Sequence, residues 1–134
     1  MVAGFSNFGK KTVDFFAPGS NINSTIPGNE YDFASGTSMA SPVVVGVAAL
    51  VLSYNNKLTA AELKDVIVNT TNRYPKLYVY KSRVGKVLFS ELSIFGGIPN
   101  AYEAVKVVVE KKVEQQNETT PRRRRGILGM FRRN

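Results

Sequence analysis

The sequence contains no cysteine and no histidine. Without cysteine there is no disulfide framework, no thiolate metal site and no cysteine nucleophile, while the redox compartment stays open. Without histidine the chain lacks the usual general base near neutral pH and the commonest metal ligand. Acidic residues are missing from one stretch. Residues 122–133 hold six arginines (Arg122, Arg123, Arg124, Arg125, Arg132 and Arg133) and no acid. Setting those six aside leaves 12 basic against 10 acidic residues, a net of +2 rather than the +8 of the whole chain. The basic character therefore belongs to the C-terminal stretch, and the body carries no domain-wide nucleic-acid footprint. Long apolar runs are absent too. Met39 to Leu52 is the longest, interrupted by Ser41, Pro42 and Gly46. It is too short to span a bilayer and reads as a buried core helix, so no transmembrane segment is expected. The opening residues, Met1-Val2-Ala3-Gly4-Phe5-Ser6-Asn7, show neither the charged nor the apolar region of a secretory signal.

What is present suffices for one ordinary domain. The chain has 134 residues, 43% of them hydrophobic, with six tyrosines and eight phenylalanines, a composition that argues against wholesale disorder. Residues 1–37 are rich in loops. Thr12–Phe16 and Ile22–Ile26 read as short strands closed by Ala17-Pro18-Gly19 and Pro27-Gly28-Asn29, and Tyr31–Phe33 as a third extended piece. A helix over about Ser38–Ser53 is apolar nearly all round and needs neighbours on every side. Pro42 is read in its first turn, where a missing N–H does no harm. Thr59-Ala60-Ala61-Glu62 has the form of a capping box opening a second helix, with Leu63, Val66 and Ile67 on its apolar face. Residues 77–80 and 84–89 read as a hairpin. Asn100-Ala101-Tyr102-Glu103 is a second capping box, followed by an amphipathic helix through Ala104, Val105, Val108 and Val109 that fades into polar residues. The short strands offer the apolar helix no sheet wide enough to cover it. The layout is that of one side of a larger α/β domain.

Gly36-Thr37-Ser38-Met39-Ala40-Ser41-Pro42 is the most informative segment. A serine hydroxyl is a poor nucleophile until a base takes its proton. At a helix N-terminus the free N–H groups and the positive end of the dipole favour negative charge beside it, including a tetrahedral oxyanion. Gly36 permits a tight approach and Ala40 leaves the first turn unobstructed. On spacing alone, Ser38 reads first as a helix N-cap and not as a nucleophile.

That segment, followed by VVVGVAALVLS, resembles the nucleophile segment of the subtilases, the subtilisin-like serine proteases. Residues 5–9, 13–19 and 22–25 are similar to the stretch that precedes it in the family. Residues 58–64 are similar to the helix that follows, and residues 96–105 to the closing helix. The resemblance runs over about residues 3–108 in the family's order. It implies an α/β fold: the C-terminal part of a three-layer αβα domain with a mostly parallel sheet, incomplete in this chain. It implies serine endopeptidase chemistry through an acyl-enzyme on Ser38, with the Ser38 N–H as one oxyanion donor.

The family's triad runs Asp, His, Ser in chain order, and the segments carrying Asp, His and the oxyanion-hole Asn have no counterpart here. Asp32 lies in the loop just before Ser38 and is assigned no catalytic role. The chain alone is expected to be inactive: a truncated gene model or fragment, a degenerate gene, or a piece complemented by another chain. Residues 1–118 are the expected catalytic-domain portion and 119–134 a basic, disordered tail. The expected partners are a peptide or protein substrate and the missing N-terminal part of the domain. The tail invites anionic lipid or nucleic acid through its arginines and the apolar Ile127, Leu128, Met130 and Phe131. A non-catalytic, peptide-binding subtilase-like module is the alternative. The resemblance allows calcium, although no ligand cluster is assignable, and it suggests a secreted or cell-envelope location. Asn23, Asn69 and Asn117 head weak glycosylation sequons.

Overall fold

The computed structural model describes residues 2–119, with side chains to residue 114. The sequence readings of the basic tail from residue 120 onward lie outside the described residues. Strands β1 (Ile22–Ile26) and β2 (Glu30–Ala34) lead into helix α1 (Thr37–Tyr54) and helix α2 (Ala60–Asn69). The short β3 (Asn72–Arg73), the strands β4 (Tyr78–Lys81) and β5 (Gly85–Leu88), a single 3₁₀ turn at Phe89–Glu91, β6 (Gly97–Ile98) and helix α3 (Ala101–Thr119) complete the order. All three strand pairs among the described residues are antiparallel and two-stranded: β1–β2, β3–β6 and β4–β5.

The β1–β2 hairpin turns at Gly28 (φ 93) and Asn29 (φ 62), left-handed conformations that Gly and Asn accept with least strain. Most of its side chains face solvent. Thr12–Phe16 forms no strand. Its carbonyls at Val13 and Asp14 accept from Ile94 and Phe95 at 2.7 and 3.0 Å, and the Phe16 N–H donates to Gly97 at 3.0 Å. These bonds tie it to an irregular loop that cannot continue a ladder. The expected hairpin of residues 77–89 is present, in register from Tyr78↔Leu88 to Lys81↔Gly85.

Both helix starts follow their sequence signals, one fully and one by half. At α2 the Thr59 hydroxyl accepts from the Glu62 N–H at 3.3 Å, and Glu62 Oε2 accepts from the Thr59 N–H at 2.8 Å. Both arms of the capping box are made. At α3 the Asn100 side chain accepts from the Glu103 N–H at 3.1 Å, but the Glu103 carboxylate turns to Lys106 at 4.0 Å instead of closing the box.

Two small cores result. Val51, Val66, Ala104 and Val108 join the three helices, and Val2, Val79, Phe89 and Leu92, with Phe16 against them, fill the region of the β4–β5 hairpin. As the short strands imply, α1 is left largely uncovered. Val51 is its only buried residue, and Val45 and Leu50 remain 63% and 43% exposed. The reason is geometric: α2 and α3 flank one side of α1, and the three two-stranded pairs cannot cover the rest. α1 spans 18 residues and is by length and composition the single helix among the described residues apolar enough to cross a membrane.

Candidate active site

Ser38 is the second residue of α1 and is exposed. It is not the cap. Gly36 occupies that position, and no side chain caps the helix. Among the described residues the Ser38 hydroxyl has no hydrogen-bond partner. The Gly36 carbonyl accepts from the N–H groups of Met39 at 3.1 Å and Ala40 at 3.4 Å. Among the described residues the N–H groups of Thr37 and Ser38 have no acceptor, as the first amides of a helix do not. An exposed hydroxyl therefore stands beside two unused donors at the positive end of an 18-residue helix. Such an arrangement can stabilise an oxyanion formed next to Ser38.

Pro42 departs from its sequence reading. With α1 starting at Thr37, Pro42 is the sixth helical residue and lies beyond the first turn. Its missing N–H withdraws the donor that would otherwise reach the Ser38 carbonyl four residues back.

The glycine requirement also moves. A Cβ on Gly36 would meet only ordinary contacts, the nearest being Met39 Sδ at 3.6 Å. A Cβ on Gly19 would lie 2.8 Å from the Gly36 carbonyl oxygen and 2.9 Å from Ala40 Cβ. The Gly36 N–H donates to the Gly19 carbonyl at 2.7 Å, so the 17–19 loop is pinned against the first turn of α1. Gly19 and Ala40 are the small residues that allow this approach. The Ser35 hydroxyl accepts from the Asn21 N–H at 2.7 Å and fixes the foot of the hairpin.

Beside the first turns of α1 lies a cavity of about 460 Å³. Ala3, Phe5 and Ser6, the α1 residues Thr37, Ala40 and Val44, and Phe89 are among the residues that line it. Asp32 is exposed in β2, and its carboxylate accepts from the neighbouring Phe33 N–H at 2.7 Å. It does not meet the Ser38 hydroxyl. No group of three or more His, Cys, Asp or Glu side chains gathers as a metal site among the described residues.

Sequence reasoning passed over Gly19 and Lys81. Lys81 is buried, and its ammonium donates to three backbone carbonyls. The period-two alternation of Leu77–Lys81, which turns Val79 inward, carried that signal.

The sequence profile of the subtilase family matches residues 1–122. The chain is 40% identical over 131 residues to an extracellular basic protease of Dichelobacter nodosus, covering 90% of this chain and 19% of that protein. It is 41% identical over 78 residues to a subtilisin of Bacillus pumilus, covering 58% of this chain and 28% of that one. Among solved structures, one of the subtilase cytotoxin SubAB assembly superposes with a TM-score of 0.69 at 29% identity, over 84% of this chain and 32% of that chain. The A-subunit of the AB5 toxin from E. coli superposes with a TM-score of 0.64 at 31% identity, over 76% of this chain and 29% of that chain. The chain thus spans a third or less of the length of each of these proteins.

Proposed function

The chain belongs to the subtilase family, and from that premise we propose that it carries the nucleophile of a serine endopeptidase, Ser38, within the C-terminal portion of a catalytic domain formed by residues 1–118. The observation that carries this reading is the Ser38 hydroxyl itself. It is exposed, free of capping duty, and flanked by the unused N–H groups of Thr37 and Ser38. In the forward step Ser38 Oγ attacks the scissile carbonyl carbon, its proton passes to a base, and the carbonyl oxygen becomes an oxyanion facing the Ser38 N–H. Collapse breaks the peptide C–N bond, the base returns the proton to the leaving amine, and the acyl group stays on Ser38. Water then repeats the sequence and releases the acid.

The chain provides no histidine for the proton, and Asp32 stands apart. The base and its orienting carboxylate are supplied by the N-terminal portion of the domain, on the same longer polypeptide or on a second one. The exposed apolar face of α1 supports this, because a helix of that composition is stable when a sheet covers it. The relatives' names place them outside the cell, as extracellular and cell wall-associated proteases, and an extracellular or envelope location with peptide or protein substrates is proposed here as well.

A fluorophosphonate probe tests the assignment. The chain alone is expected to stay unlabelled and to hydrolyse no peptide. When it is co-expressed with a subtilase N-terminal portion bearing Asp and His, Ser38 is expected to label and Ser38→Ala to remain blank. Labelling of the Ser38→Ala variant in that complex would remove Ser38 from the role. Hydrolysis by the isolated chain, lost in Ser38→Ala, would remove the requirement for an outside base. The absence of histidine favours a second reading, a peptide-binding module without turnover. It predicts that a complemented complex binds peptides yet never labels.

A further inference from the structure

Lys81 is a buried cation with no anion beside it among the described residues. It closes β4 with its side chain turned inward like that of Val79, and only 2% of the residue is exposed. The ammonium nitrogen lies 3.1 Å from the Ala3 carbonyl oxygen, 2.9 Å from that of Gly4 and 2.7 Å from that of Ser6. An ammonium has three donors, and all three are used. The ring of Phe8 stands 5.2 Å from the nitrogen and adds the attraction of its π face. The ion pairs among the described residues involve Lys10, Lys64 and Lys106, so no carboxylate neutralises Lys81. Burying a charge is costly unless something replaces its hydration. Here the replacement is a set of carbonyl dipoles, the means by which potassium-selective filters hold a dehydrated ion.

We infer that the turn formed by residues 3–6 is a monovalent-cation site, occupied by the ammonium of the chain's own Lys81. Three carbonyl oxygens converging on one point repel each other unless a positive charge sits between them. The turn is partly set by its own backbone, since the Ser6 N–H donates to the Ala3 carbonyl at 3.1 Å. It offers only neutral oxygens, which suits a singly charged ion and not a divalent one that needs carboxylates. The consequence is positional. Ala3, Phe5 and Ser6 line the cavity that Thr37 and Ala40 face. Lys81 therefore holds part of the lining of that cavity from the far hairpin. This inference is independent of the peptidase reading, because it concerns the lining and not the chemistry at Ser38.

The test compares the full chain with its Lys81→Ala variant in the chlorides of potassium, ammonium and tetramethylammonium, reading the urea midpoint by circular dichroism. The variant is expected to unfold at lower urea in tetramethylammonium, which is too large for the cage, and to regain most of the loss in potassium or ammonium. The unaltered chain is expected to respond alike to all three. An unchanged midpoint in the variant, or an equal response of the variant to the three salts, overturns the site. Acetylation of the unaltered chain by acetic anhydride, followed by peptide mass spectrometry, decides the matter even if the variant does not fold. Lys81 is expected to react about tenfold or more slowly than the exposed Lys76 and Lys86, since it must first be released by local opening. Equal rates overturn the inference.

Discussion

Thr59 and Glu62 each complete the other's hydrogen bonding at the start of α2, and the pair makes a charge-dependent contribution. Hydrogen bonds from the Thr59 N–H and then from its hydroxyl hold the Glu62 carboxyl below its ordinary value. A carboxyl whose folded value is depressed favours the native state above its unfolded value and loses that advantage as pH falls through the folded one. Thr59→Ala is therefore expected to cost about 1 kcal/mol at neutral pH, read from the urea midpoint. The gap between the unaltered chain and Glu62→Ala is expected to be constant near neutrality and to narrow below about pH 4.3, the usual glutamate range. A gap that widens on acidification would contradict the capping geometry. Ser38 shows the opposite case. Its side chain satisfies no backbone group among the described residues, so Ser38→Ala is expected to leave the stability within about 0.5 kcal/mol, while it removes the labelling expected of the complemented enzyme.

At the scale of elements, α1 and the loop before it form the decisive pair. The 17–19 loop approaches the helix so closely that a methyl group on Gly19 has no room between the Gly36 carbonyl and Ala40. Gly19→Ala is expected to destabilise the chain by about 1–3 kcal/mol, the range of overpacking, measured by urea unfolding. The far side of α1 behaves differently. Val45 is 63% exposed and meets little of the chain. Val45→Ser is expected to shift the unfolding midpoint by no more than about 0.5 kcal/mol, yet to reduce recovery of probe labelling on complementation. If Val45→Ser complements as well as the unaltered chain, the outer face of α1 is not where the remaining domain docks.

Across the molecule as a whole, the apolar surface is the dominant feature. Tyr31, Phe33, Val45 and Leu50 are all exposed, and large exposed apolar surface marks interaction sites or association. The chain is expected to bind the hydrophobic dye ANS at neutral pH and to lose that binding when the N-terminal portion is supplied. Unchanged dye binding in the complex would argue that the surface serves something else. Much of this protein is legible in its residue order. The apolar helix, the Thr59–Glu62 box, the β4–β5 hairpin and the segment around Ser38 are local signals, written in residue spacing, and they appear where spacing puts them. The absence of histidine is legible in the same way, because an absent residue type is absent in every fold. Folding in three dimensions settled the rest: Gly36 and not Ser38 caps α1, Pro42 lies past the first turn, the close approach falls on Gly19, and Lys81 is buried on three carbonyls. Each of these depends on which distant segments meet. Residues 3–6 and Lys81, or Gly19 and Ala40, are brought together by packing, which no periodicity along the chain encodes.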